Sequence, residues 1–209
     1  MARIDFEDVT VATAGNVVLR NVTLGIDDGE FVGVIGPSGS GKTSLIRTVA
    51  GFTEVITGRV LFDGIDVTKV KTAERDIGMV FQEPVLFGNR TVRRNVSFPL
   101  EIQKQEAAEI NQRVNAEVRS MHIEHLLRRH PNELSQGEAQ LVQIARAMVR
   151  TPRVLLLDEP LASLDVHLQA RMRAELSMLQ AGYGVTTMMT TNDPGDAVSM
   201  PSRLVVIDA

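Results

Sequence analysis

Apolar and polar residues alternate loosely from Ile4 to Val11, the pattern of a strand with one face in a core. Two short runs follow, Val17-Val18-Leu19 and Val22-Thr23-Leu24-Gly25-Ile26, separated by polar residues. Asp27-Asp28-Gly29 is a turn signal, and Phe31-Val32-Gly33-Val34-Ile35 is then almost continuously apolar. Such a run predicts a strand covered on both faces, as in a parallel sheet. Val154-Leu155-Leu156-Leu157, Thr186 to Thr191 and Leu204-Val205-Val206-Ile207 read the same way. Helical patterns between these runs predict an α/β core with crossover connections.

The texture changes between Gly88 and Arg150, which is charged and carries no strong strand pattern. Ala107, Ile110, Val114, Val118 and Met121 recur at three- and four-residue steps, the stripe of an amphipathic helix. Leu141, Ile144, Ala145 and Met148 make a second stripe. Core packing is explanation enough for the first. The expected organisation is one domain over residues 1–209. Residues 1–87 and 151–209 form its α/β core, and a helical subdomain, 88–150, is inserted between them.

Composition narrows the classes. A net charge of −4, from 26 Asp and Glu against 22 Lys and Arg, argues against gripping nucleic acid by charge. With no cysteine, disulfides, zinc–thiolate sites and thiol catalysis are excluded. No apolar stretch reaches the roughly 18–20 residues that span a bilayer. The N-terminal residues show no signal-peptide core. A cytoplasmic protein is expected, meeting membranes only through partners.

The strongest chemical signal is Gly36-Pro37-Ser38-Gly39-Ser40-Gly41-Lys42-Thr43, between the apolar run ending at Ile35 and a helical run, Ser44 to Ala50. Glycines let the backbone curl until successive N–H groups face phosphate oxygens, and the helix start adds partial positive charge. Lys42 is expected to bridge β- and γ-phosphates, and the Thr43 hydroxyl to ligate Mg²⁺. A glycine-rich turn with a chance Lys-Thr is the bland alternative, and the strand–loop–helix setting disfavours it. Asp158 and Glu159 follow four apolar residues and close a predicted strand, where open α/β sheets bind ligands. Asp158 is expected to hold Mg²⁺ and Glu159 to polarise the attacking water.

With these two motifs in place, the chain resembles the nucleotide-binding subunits of ABC (ATP-binding cassette) transporters along essentially its whole length. Leu134-Ser135-Gln136-Gly137-Glu138 stands where that family carries its LSGGQ signature. Gln82, in Met79-Val80-Phe81-Gln82-Glu83-Pro84, matches the Q-loop, and Ser163-Leu164-Asp165 matches the D-loop. Arg75 to Gln82 and Thr91 to Val96 look most like importer ATPases for sugars, polyamines or oxyanions. The resemblance implies a P-loop NTPase core: a mostly parallel sheet with flanking helices and an N-terminal antiparallel β part. It implies ATP and Mg²⁺ as cofactors, bound through Gly36 to Thr43 together with Ser44. Thr43, Gln82 and Asp158 would serve the metal. Two cassettes would pack head to tail, so that Ser135 and Gly137 of one contact the γ-phosphate held by the other. Transmembrane permease subunits, whose coupling helix the helical subdomain would receive, and a solute-binding protein are the further implied partners. The implied place is the cytoplasmic face of the cell membrane.

The sequence departs from the family at several points. Thr13-Ala14-Gly15 occupies the region where members carry an adenine-stacking aromatic residue. The signature reads Leu-Ser-Gln-Gly-Glu. Asn192 stands where members place a histidine against the γ-phosphate, and its amide donates hydrogen bonds without carrying charge. The four histidines, His122, His125, His130 and His167, are read as solvated surface residues rather than substitutes. Sugar-type relatives also continue past Ile207 into a helix and a β-rich domain. Three readings follow: an ATPase powering an importer of a solute such as a sugar, with Glu159, Gln82 and Asn192 catalytic; a degenerate module that binds ATP and hydrolyses slowly; and a soluble ABC ATPase outside transport.

Overall fold

The computed structural model describes every residue except Ala14 and Ala209. In chain order its first part comprises β1 (Ile4–Thr13), β2 (Asn16–Ile26), β3 (Phe31–Ile35), α1 (Lys42–Ala50), β4 (Val55–Phe62), β5 (Ile65–Asp66) and β6 (Ile77–Val80). Three helices follow, α2 (Val92–Ile102), α3 (Ala107–Ser120) and α4 (Gln136–Met148). The chain closes with β7 (Val154–Asp158), α5 (Val166–Tyr183), β8 (Thr186–Thr191), α6 (Pro194–Ser199) and β9 (Arg203–Val206).

Two sheets share the strands. The antiparallel sheet runs β2-β1-β4-β5, and the parallel sheet runs β6-β7-β8-β3-β9. The alternation along β7 shows why its run is apolar throughout. Leu155 and Leu157 enter a core shared with α2, α3, α4 and α5. Val154 and Leu156 enter a second core shared with β1, β4 and α1. A strand covered on both faces has no position where a polar side chain is cheap.

The chain's own pattern accounts for most elements. Val114, Val118 and Met121 of the first helical stripe are buried, Ile110 is half-buried and Ala107 is exposed. The second stripe of α4 is wholly buried. The runs Val17–Leu19 and Val22–Ile26 correct to a single strand, β2. Between the pairs Val9–Val22 and Val11–Leu19, β2 has one residue more than β1. Asn21 takes up that bulge at φ 49°. The last strand sits one residue earlier than its apolar run. At the carboxyl edge of the parallel sheet, Asp158 pairs with Thr190, and Ile35 with Thr191. The two motif-bearing strand ends therefore flank the end of β8.

One buried acid stands apart. Glu117 on α3 is 4% exposed, and Tyr183 at the end of α5 donates to its Oε2 at 2.9 Å. Burial pushes the Glu117 carboxyl up to about 7, and burial first, then the nearby Glu117 charge, push the Tyr183 hydroxyl up to about 12. A carboxyl raised from 4.5 to about 7 by folding stabilises the protein fully below pH 4.5. That contribution is lost as pH rises through 7. The loss is on the order of 3 kcal/mol by pH ~8. Glu117→Gln keeps the acceptor without the charge, so its melting temperature should exceed that of the unmodified chain at pH 8 and approach it at pH 5. Parallel pH profiles would refute this.

Candidate functional site

The loop between β3 and α1 is shaped by its glycines and closed by its lysine. Gly41 precedes α1 at φ 102°, and a Cβ there would lie 2.9 Å from Leu19 Cδ2 on β2. Any side chain would be both strained and crowded. No side chain caps α1, and its first turn holds no acid, so its leading N–H groups keep their polarity for an anion. Lys42 is buried, and its Nζ donates to Gly36 O at 2.9 Å and Pro37 O at 2.8 Å. An ammonium has three donors, so one is left for a further acceptor. Ser40 Oγ is buried with no hydrogen-bond partner, and Ser40 does not line the pocket in front of the loop.

The carboxylates are tied to this loop. Asp158 Oδ1 accepts from Thr43 Oγ1 at 3.0 Å and from Thr190 Oγ1 at 2.8 Å. Thr190 Oγ1 in turn accepts from Glu159 N at 3.0 Å. Glu159 has φ 46°, an unfavourable backbone region for its residue type, and its side chain accepts from Asn192 Nδ2 at 2.5 Å. Phosphate loop, β7 end and β8 end thus form one bonded unit. Thr190 had no motif to mark it, and only strand pairing reveals its part.

Lys42, Thr43, Ser44, Gln82, Glu159 and Asn192 line one pocket of about 440 Å³, with Ser38, Gly39, Gly41 and Val18 completing it. That volume suits a small-molecule ligand. Gly36 and Pro37 contribute their carbonyls to Lys42 instead of lining the pocket. Among the described residues no group of three or more His, Cys, Asp and Glu could hold a metal alone. Thr43, Gln82 and Asp158 offer only oxygen donors, which fits a Mg²⁺ ion that shares its shell with phosphates. Thr13 is exposed beside this region, and Ala14 lies outside the described residues. His122, His125 and His167 are exposed and His130 half-buried, and none lines the pocket.

Ser135 and Gly137 do not line it either. They stand at the start of α4, where Ser135 caps the helix. Gly137 is buried against α5, where a Cβ would lie 2.2 Å from Leu168 Cδ2. A larger residue there would have to displace the Leu168 side chain. Farther along α4, Gln140 and Gln143 are fully buried. Gln143 Nε2 donates to Phe81 O at 3.0 Å, and Gln140 Nε2 to Pro160 O at 2.9 Å. One helix thus grips both the backbone before Gln82 and the backbone after Glu159. The helical stripe gave no sign of this, because a buried glutamine breaks it.

A second groove, of about 610 Å³, adjoins the first at Ser44 and is bordered by Arg47, Phe52, Glu54 and Phe81. Phe52 is 54% exposed, with its ring 6.3 Å from that of Phe81.

Known proteins match this chain in sequence and in fold. The family profile described as ABC transporter fits residues 19–162, more than half of the chain. The sn-glycerol-3-phosphate import ATP-binding protein UgpC of Brucella abortus (strain 2308) is 40% identical over the whole chain. The spermidine/putrescine import ATP-binding protein PotA of Aggregatibacter actinomycetemcomitans is 39% identical over 98% of it. The chain spans 60% and 55% of the lengths of these two relatives. Among solved structures, the dimeric MJ0796 bacterial ABC transporter cassette superposes with a TM-score of 0.86 at 30% identity. That match covers 98% of this chain and 94% of the other. A post-hydrolysis dimer of the same cassette bound to ADP and Pi matches equally well. The chain belongs to the ABC transporter family.

Proposed function

We propose that the chain binds ATP at the 440 Å³ pocket and hydrolyses it as the energising subunit of an importer. The carrying observation is the bonded unit Thr43–Asp158–Thr190–Glu159–Asn192, which ties the glycine-rich loop to the two carboxylates at the end of β7. Loop N–H groups and Lys42 hold the β- and γ-phosphates, and the Glu159 carboxylate takes a proton from the attacking water. Bound Mg²⁺, reached by Thr43, Gln82 and Asp158, would neutralise charge developing on the phosphate oxygens. Phosphate release should need the metal and should fall by at least about 100-fold in Asp158→Asn. Undiminished release from that variant would refute the site.

Ser135 and Gly137 lie away from the pocket of their own chain, which supports a second cassette packed head to tail. The dimeric MJ0796 structures support the same reading. An import role rests on the relatives, which are import ATP-binding proteins for a glycerol phosphate and for polyamines. A sugar or similar solute, a solute-binding protein and permease subunits complete this system, which places the chain peripherally at the cytoplasmic membrane face. Among the described residues no helix is long and apolar enough to cross a membrane. The helical subdomain, 88–150, would receive the coupling helix of the permease, and the groove at Phe52 and Phe81 adjoins the phosphate pocket at Ser44. Phe81, which lines that groove, is the residue before Gln82, so docking there would bear on the Gln82 loop. The inserted helices α2 to α4 act as the moving subdomain, with Gln140 and Gln143 passing motion between the signature and both catalytic loops.

Asn192 supports a second reading, slow hydrolysis. Its neutral amide bonds Glu159 and brings no positive charge to the γ-phosphate. A lost preorganised donor costs about 10²–10³ in rate elsewhere. The amide retains one donor, so Asn192→His should raise the ATPase rate by at least about tenfold. An unchanged rate would show that the amide suffices.

A further inference from the structure

The signature helix begins with an anion of its own. Glu138 Oε2 accepts from Ser135 N at 2.7 Å and from Ser135 Oγ at 2.9 Å, while Ser135 Oγ accepts from Glu138 N at 3.3 Å. Arg129 Nη1 stands 3.4 Å from the other carboxylate oxygen and holds the group in place. The Ser135 backbone N–H, followed by its hydroxyl, keeps the Glu138 carboxyl below its ordinary range, so it is ionised at neutral pH. The hydroxyl proton of Ser135 is thus committed to a full negative charge, the strong class of hydrogen bond. The contrast with α1 is chemical: α1 starts without cap or acid, whereas α4 starts already neutralised.

An incoming phosphate therefore meets a serine that must let go of Glu138 before donating, and it meets the carboxylate's charge as well. We propose that Glu138 is a positioning residue that competes with the γ-phosphate on the partner cassette for the Ser135 hydroxyl, and so restrains ATP-driven closure. This role presupposes the reading above, in which Ser135 meets that phosphate. In Glu138→Gln the amide oxygen still accepts from Ser135 N, so the cap survives, but the charge is gone and the hydroxyl is released more easily.

Sedimentation with ATP and Mg²⁺ tests the competition on four proteins: the unmodified chain, Glu138→Gln, Ser135→Ala and the double variant. Glu138→Gln should dimerise about tenfold more tightly, the worth of one charge-assisted hydrogen bond less the residual cap. ATP affinity of the dilute monomer should not move, since Glu138 does not line the phosphate pocket. Adding Ser135→Ala should remove most of the gain. Dimerisation no tighter than the parent's overturns the proposal, because Glu138 then restrains nothing. A gain kept in full by the double variant also overturns it, since the charge would act without Ser135. The underlying reading fails separately: it does so if Ser135→Ala weakens dimerisation in neither background.

Discussion

Lys42→Ala is expected to lower the affinity for ATP at least about 100-fold in a calorimetric titration with Mg²⁺, a loss of about 2.7 kcal/mol or more. Two effects combine. Among the described residues the buried ammonium is the only cation lining the pocket, so its loss would leave the triphosphate charge to backbone dipoles alone. Its two bonds to Gly36 O and Pro37 O also close the loop, and alanine releases both carbonyls. Because Lys42 is the first residue of α1 and alanine is a good helix former, the fold should survive. Binding as tight as the parent's would show that the nucleotide sits elsewhere.

Glu159→Gln should separate binding from turnover. Glu159 is placed by its backbone, through Thr190, and by Asn192 Nδ2, and a glutamine oxygen can still accept that amide bond. The shape of the site is therefore kept, while the group that accepts a proton is lost. A positioned base contributes about 10²–10⁴ in rate, and phosphate release should fall by that factor. Under the proposed function binding rests on Lys42, Thr43 and Asp158 and should persist, so ATP would accumulate in the closed state. Size-exclusion chromatography with ATP and Mg²⁺ should then show a dimer. Monomers with normal turnover would remove Glu159 from the chemistry.

The sequence exposes those parts of the site where one residue type has one physical job. Gly41 must tolerate φ 102°, and Lys42 closes the loop through two of its carbonyls, so the loop is legible at once. β3 and β7 are legible because both faces are buried. β4 is not, since only its last three residues are buried and its first five are solvent-facing or nearly so. Thr190 is invisible for another reason: its hydroxyl matters only because β8 lies between β7 and β3, a fact of topology. Gln140 and Gln143 look like polar interruptions of a stripe until the backbone carbonyls they reach are known. Glu138 is readable as a departure from the signature, but its grip on Ser135 needs coordinates.

In the proposed dimer, an ATP pocket built on one chain is completed by the signature of a second. The chain has no cysteine, so Ser38→Cys and Gln136→Cys, both exposed positions, install the only two thiols. Ser38 lines the phosphate pocket and Gln136 opens the signature helix. A short bismaleimide should join Ser38→Cys of one chain to Gln136→Cys of another only when ATP and Mg²⁺ are present. Lys42→Ala should abolish the product. Cross-linking that proceeds equally without nucleotide, or that survives Lys42→Ala, would rule out a nucleotide-bridged pair of chains.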